Sequence, residues 1–252
     1  MGHARQEDTI EGIRAAAQIV ARTLSTLGRA VRPGITTAEL DRLAEAVIRD
    51  HGARPAFKGY HGFAASICAS INEEVVHGIP GPRALQEGDI IGIDVGAELH
   101  GWYGDAARTF AVGAVSEDAS RLMRVTEEAL NLGLAEARAG NRVGDISHAV
   151  QAHVEGHGFS VVRDLVGHGI GREMHEEPAV PNHGPSGKGP RLFVGQVLAI
   201  EPMVNAGGFA VVTRPDGWTV ATKDGRWSAH FEHTVAVGTE GPEILSMLPD
   251  EQ

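Results

Sequence analysis

Four carboxylates stand where a lone acid is costly. Asp94, Asp105, Glu201 and Glu232 each lie in or beside a short apolar run: IIGIDVG, WYGDAARTF, VLAIE and FEHTVAV. A buried carboxylate needs a partner, which can be a shared proton, a basic side chain or a cation. No Lys or Arg occupies a corresponding strand position, and Val166-Gly-His168-Gly-Ile-Gly171 adds an imidazole on a Gly-rich bend. Four acids and one His are too many ligands for a single tetrahedral zinc, and they suit two divalent ions bridged by carboxylates. Oxygen-rich ligation favours harder ions such as Mn(II) over thiolate-seeking ones. Paired ions of this kind produce a hydroxide nucleophile and clamp a tetrahedral intermediate, so the chemistry expected is hydrolysis.

Two further histidines are placed to assist: His77 in NEEVVHGIP and His175 in MHEEP. An imidazole can donate to a carbonyl or move a proton near neutral pH. His3, His51, His100, His148, His153 and His157 read as surface or helix-end residues. Cys68 reads as packed rather than as a nucleophile, since a lone Cys in an apolar strand is usually inert. No Gly-x-Ser-x-Gly, His-Glu-x-x-His or phosphate-binding glycine loop occurs.

The elements that must position these groups can be read from periodicity. Ile90 to Gly96 and Trp102 to Ala111 read as two strands of a hairpin. A turn centred between Leu99 and His100 would set Asp94 directly opposite Asp105, on one face. Upstream, Ile10, Ile13, Ala17, Val20, Leu24, Leu27 and Val31 form one stripe of a helix capped by Asp8 or Thr9 and ended by Arg32-Pro33-Gly34. Thr36-x-x-Glu39 is a capping box for a second helix that closes at His51-Gly52. Short extended segments follow at 64–72 and 74–77.

The order then repeats. A helix opens at Ser116-Glu117-Asp118 and runs to about Arg138, and Asp145 caps another. Val161-Val162 is extended, and strands are expected at 197–201 and 231–237. Three pairs share an offset of 107 residues: His61 with His168, Gly88 with Gly195, and Asp94 with Glu201. The return strands carry Asp105 and, after a longer connection containing Trp218, Glu232. The expectation is one domain over 1–252, with pseudo-twofold halves at about 9–112 and 113–240, each giving an acidic hairpin to a shared centre.

Composition narrows the partners. A net charge of -11 argues against nucleic acid as the main partner and against an anionic membrane. One cysteine allows no internal disulfide, which fits a reducing compartment. The polar start MGHARQEDTIEG has no apolar signal core, Gln6 breaks the acylation pattern after Gly2, and no stretch approaches a membrane span. A cytoplasmic location is expected. Asn182 to Gly189, NHGPSGKG, reads as a surface loop.

Five ordered segments carry a resemblance: GYHGFAASICASINEEVVHGIP, IDVGAELHGWYGDAARTF, VGHGIGREMHEEP, AIEPM and SAHFEHTVAV. Together they resemble the type I methionine aminopeptidases over nearly the whole chain. The resemblance implies the duplicated pita-bread α/β (α+β) fold, an antiparallel sheet with helices over its outer face. It implies two divalent ions, from among Co, Mn, Fe, Zn and Ni, with Asp94, Asp105, His168, Glu201 and Glu232 as ligands, and removal of the initiator methionine when the next residue is small. A metal-activated water would attack the scissile carbonyl, with Glu201 relaying the proton, His175 stabilising the tetrahedral intermediate and His77 touching the scissile nitrogen. Tyr60, Phe63, Cys68 and Trp218 would line the methionine pocket, with Met174 where bacterial members often have Phe. Backbone oxygens of Asn72 and Ser228 would hold a monovalent cation. The expected partners are nascent polypeptide N-termini, met at the ribosome, and the expected state is a monomer. The short segment before the first helix and the absence of a long insertion between His175 and Glu201 fit the short type I form. Proline-specific peptidases of the same fold and catalytically dead binding relatives share these motifs, and hydrolysis of Met-Ala-Ser against Ala-Pro-Ala separates the three.

Overall fold

The computed structural model describes residues 6–248. His3 and the Met1-Gly2 start lie outside the described residues. Helix α1, Gln6–Ala30, begins earlier than the stripe suggests, so Asp8 and Thr9 sit inside it. Glu7 and Asp8 in its first turn explain the early start, because negative charge stabilises a helix N-terminus. Helix α2, Thr37–Asp50, has the expected capping box: Glu39 N donates to Thr36 Oγ1 at 3.2 Å, and Thr36 N donates to Glu39 Oε2 at 2.8 Å. Helix α3 is Glu117–Ala135, capped by Ser116.

Helix α4, Val143–Gly156, starts before Asp145, which is therefore inside the first turn and not the cap. Its carboxylate does cap from within, accepting from Arg142 N at 2.8 Å and, on its other oxygen, from Ser186 Oγ at 2.6 Å and Gly187 N at 2.7 Å.

The two halves repeat their turn hydrogen bonds. Gly88 N donates to Val112 O at 2.9 Å and Gly195 N to Val237 O at 2.8 Å. Leu85 N donates to Ile35 O and Leu192 N to Asn141 O, both at 2.8 Å. Ala38 N donates to Gly81 O and Gly144 N to Lys188 O, both at 2.9 Å. Each half has its own apolar core: Ile19 to Val112 contribute one cluster, and the other draws almost wholly on Ala119 to Val237.

All pairings between the named strands are antiparallel. In the first half, Ile90–Leu99 lies between Ile67–Ile71 and Arg54–Pro55 and also pairs with Trp102–Ala111. In the second, the sheet order is Glu243–Ile244, His233–Ala236, Val197–Ile200, Val166–Gly169, Glu176–Pro181. Helix α1 packs directly on Trp102–Ala111: a Cβ on Gly104 would meet Ala17 N at 2.4 Å, so only glycine permits that approach.

The hairpin register differs from the expectation. Leu99 pairs with Trp102, Asp94 with Ala107, and Gly96 with Asp105. The turn is His100-Gly101, with φ of 53° and 79°. A two-residue hairpin turn wants positive φ at both central residues, which glycine supplies without cost and Leu99 could not. Leu99 instead packs against the first core. The two acids are diagonal neighbours and remain on one face.

The return strands of the two halves meet. Glu232 N donates to Ala107 O at 2.8 Å. Thr234 Oγ1 accepts from Asp105 N at 3.0 Å and donates to Asp105 O at 2.6 Å. Thr109 Oγ1 accepts from His230 N at 2.9 Å and donates to His230 O at 2.8 Å. This seam sets Asp105 and Glu232 side by side.

Candidate metal centre

The acids of both halves converge on His168. Its Nε2 lies 3.9 Å from Asp105 Oδ2 and 3.7 Å from Glu201 Oε1. Donor atoms of Asp105, His168 and Glu232 all lie within 4.8 Å of one another. One step beyond the last register pair, Ile200 with His233, the same register sets Glu201 opposite Glu232. His168 reaches this point because its strand is squeezed between neighbours. A Cβ on Gly167 would meet Ala199 O, and one on Gly169 would meet Glu177 O, each at 2.4 Å. His168 Nδ1 lies 2.9 Å from Gly169 O. A proton on Nδ1 satisfies that carbonyl and turns the Nε2 lone pair toward the acids, which is how metal-binding imidazoles are usually oriented.

The donor set fits divalent cations. Asp94 Oδ1, Asp105 Oδ1, Glu232 Oε1 and His230 Nε2 are buried without a hydrogen-bond partner. No Lys or Arg lines the cavity above them. Burial pushes Asp94 up to about 7 and Glu201 up to about 8. Burial, reinforced by the neighbouring acids, holds Asp105 and Glu232 well above the usual carboxylate range. Four acids that resist ionising together, with oxygens left unmet, are what a cation would neutralise.

The cavity is about 360 Å³ and brings the remaining expected residues together: Tyr60, Phe63, Cys68, His77, His175 and Trp218. Phe63 and Trp218 meet edge to face with ring centroids 5.1 Å apart. Cys68 is the cross-strand partner of Asp94, at the floor, and burial raises its thiol, which suits a wall better than a nucleophile. The ring of His175 lies 4.3 Å from that of His168, tilted by 55°, and its Nδ1 lies 2.9 Å from the Tyr60 hydroxyl. A Tyr60 donor there leaves the proton on Nε2 of His175. Burial lowers His77 to about 4, so it is neutral at pH 7. A larger cavity of about 610 Å³ lies between α1 and α3 and touches Glu232, but none of the other expected ligands. The smaller cavity is the one that all five expected ligands line.

Some positions differ from expectation. Met174 is buried beside Gly96, where its Cε and Phe57 Cε1 fill the space a Cβ would take, and it does not line the cavity. Asn182 is not a surface residue: it is buried, and its Nδ2 donates to Glu201 O at 3.0 Å. A polar composition marked the segment as a loop but could not show which amide folds inward. His153 and His157 lie at the end of α4, as expected, and are half-buried facing Glu128. Asn72 has φ of 57°, and its carbonyl accepts from Ser228 N at 2.8 Å, so the two backbones adjoin.

His230 escaped the sequence reading. It is buried, with Nε2 at 3.6 Å from Glu201 Oε2. Strand alternation held the signal, since residues two apart share a face and His230 precedes Glu232 by two. Phe57, Val76, Leu165 and Met203, also in the wall, carried no comparable signal.

Fold and site together define a metallopeptidase, and the comparisons agree: the model of metallopeptidase family M24 matches residues 11–239. The chain is 55% identical over 244 residues to the methionine aminopeptidase of Clostridium perfringens, covering 97% of this chain and 98% of that one. It superposes on the crystal structure of methionine aminopeptidase from Rickettsia prowazekii with a TM-score of 0.95 and 43% identity, over 98% of this chain and 100% of that one. A prolidase from Pyrococcus furiosus shares the fold alone, with a TM-score of 0.79 and 21% identity, and this chain spans 64% of its length. The chain therefore belongs to metallopeptidase family M24, among its methionine aminopeptidases, and has their duplicated pita-bread fold. Among the described residues no helix is long and apolar enough to cross a membrane.

Proposed function

We propose that this chain removes the initiator methionine from nascent polypeptides whose next residue is small. The observation that carries this is the set of buried acids, with unmet oxygens, at the floor of an apolar cavity. Methionine aminopeptidase is also the name its relatives bear. The whole chain, 1–252, acts as one catalytic domain with halves at about 9–112 and 113–240, because each half gives two acids to one centre. Asp94, Asp105, His168, Glu201 and Glu232 would hold two divalent ions, drawn from Co, Mn, Fe, Zn or Ni. Such ions supply a nucleophilic water at neutral pH and polarise the scissile carbonyl.

The chain's own groups do the rest. Glu201 takes the proton of the attacking water and passes it to the leaving amine. His175 donates from Nε2 to the oxygen that develops negative charge, and the Tyr60 hydroxyl at Nδ1 holds it in that tautomer. His77, neutral at pH 7, meets the scissile nitrogen. Tyr60, Phe63, Cys68 and Trp218 enclose the methionine side chain, a long flexible thioether that suits an apolar, aromatic-walled pocket. The adjoining Asn72 and Ser228 backbones offer oxygens to one monovalent cation. The enzyme works as a cytoplasmic monomer on chain ends presented at the ribosome.

The test is a peptide panel with metal present. Met-Ala-Ser should be cleaved rapidly, the norleucine analogue nearly as well, and Ala-Pro-Ala not at all. Replacing methionine by alanine strips a methylene, the sulfur and the terminal methyl from the pocket, and one methylene alone is worth roughly 1–3 kcal/mol, so Ala-Ala-Ser should be slower by at least about a hundredfold. Equal rates on Met and Ala peptides would refute the pocket, and preference for Ala-Pro-Ala would make the chain a proline peptidase.

A further inference from the structure

A second cluster of metal-ligating side chains lies on the helices of the second half. His153 lies in the last turn of α4 and His157, four residues on, is its C-cap, and Glu128 faces them from α3. His153 Nε2 is 3.1 Å from Glu128 Oε2, and the two imidazole centroids are 4.4 Å apart. One donor atom from each of the three fits within 4.8 Å of the others. His157 Nδ1 lies 2.8 Å from His153 O. A proton on Nδ1 makes that bond and leaves the Nε2 lone pair of His157 as a donor of fixed direction. The other oxygen of Glu128, Oε1, accepts from Arg124 at 2.7 Å, which holds the carboxylate from behind. Arg121 is occupied as well, by His157 O and the ring of Phe159.

We propose that Glu128, His153 and His157 form a further metal site, separate from the catalytic centre, for a borderline divalent cation such as Zn(II). Histidines four apart on a helix present both rings to one ion, the spacing zinc peptidases use. Ligands at about 2.0–2.1 Å from a tetrahedral zinc stand about 3.3 Å apart, close to the 3.1 Å already present between His153 and Glu128. Two imidazoles and one carboxylate favour Zn(II), Ni(II) or Cu(II) over Mg(II) or Ca(II). The half-buried setting leaves a fourth position for water. Filled, the site ties α3 to α4, the pair that covers the second core. A simple ion pair between Glu128 and His153 is the competing account, and it demands no metal.

Zinc counting on the intact, chelator-stripped protein separates the two. Wild type and the double variant His153→Ala/His157→Ala are each titrated with Zn(II), with bound zinc measured after dialysis. Wild type should hold one more zinc per chain, while Met-Ala-Ser turnover at saturating catalytic metal is the same for both. The Cu(II)-loaded wild type should show spin-resonance coupling to two imidazole nitrogens that the double variant lacks. His157→Gln, which keeps the volume and serves if the double variant misfolds, should weaken the extra site by roughly tenfold or more. Equal zinc counts, or an extra zinc that His157→Gln leaves undisturbed, overturns the proposal.

Discussion

The two halves solve one problem with different connections. In the first, Asp94 and Asp105 sit on ten-residue strands joined by the two-residue turn His100-Gly101. In the second, Glu201 and Glu232 are separated by Met203–Asn205, Val211–Thr213, Val220–Thr222 and Ser228–His230. That excursion crosses into the first half, where Val220–Thr222 pairs with Glu74–Val76 and Arg214 grips Glu73 at 2.5 Å and Glu74 at 2.6 Å. It carries Trp218 to Phe63. The acids have kept their symmetry and the connections have not. One half supplies a short hairpin, and the other adds a long excursion that packs against it beside the cavity.

The comparison breaks most visibly if the return-strand acids are unequal. Asp105→Ala and Glu232→Ala should each reduce activity to background and lose bound metal, because the seam places them side by side. Chelated, each variant should melt no lower than chelated wild type, since one buried repulsive acid is gone. An active Glu232→Ala enzyme would show that the second half lends only its fold.

Next in size is the contrast between His168 and His175. His168→Ala should lower metal affinity, with added metal restoring part of the activity. His175→Ala should cost about 10²–10³ in kcat that no metal restores, the usual loss for an oxyanion donor. Rates against metal concentration, with metal binding by calorimetry, check this. If His175→Ala loses metal and His168→Ala keeps it, the two roles are reversed.

The smallest effect is the pH dependence of the metal-free protein. Asp94 and Glu201, with folded values near 7 and 8, bind protons that the unfolded chain has already released. Their stabilisation is present at low pH and is lost as pH rises through 8. His77, His168 and His233, lowered to about 4, act oppositely, but only between about 4 and 6.5. Above 6.5 the histidine contribution, which His175 and His230 share, fades and the carboxylates dominate, so the melting temperature under chelator should fall from pH 6.5 to 8.5. One carboxyl group releasing its proton costs up to about 1.4 kcal/mol per pH unit, or about 3–6 °C in a chain of this size. Asp94→Asn should flatten the slope, and a melting temperature that rises over this range contradicts the sign.

Much of this arrangement was legible in the sequence because burial constrains it. Apolar runs interrupted by single acids marked Asp94, Asp105, Glu201 and Glu232, and an offset of 107 residues tied Asp94 to Glu201. The hairpin register was not legible to within two residues, since it depends on which residues tolerate positive φ in the turn. Asn182 could not be found, because its hydrogen bond to Glu201 O is tertiary and its neighbours are plain loop residues. His230 could have been found by alternation from Glu232. Asp145 shows a finer limit: its capping role was readable, but it caps from the third helical position, accepting from Arg142 N, and not from the N-cap.

The most direct test of the shared centre is anomalous diffraction from crystals soaked in Mn(II). Two peaks should appear at the seam, enclosed by Asp94, Asp105, His168, Glu201 and Glu232, with Asp105 and Glu232 touching both. A single peak held by one half's acids, or manganese bound elsewhere while the five side chains point apart, would contradict the account.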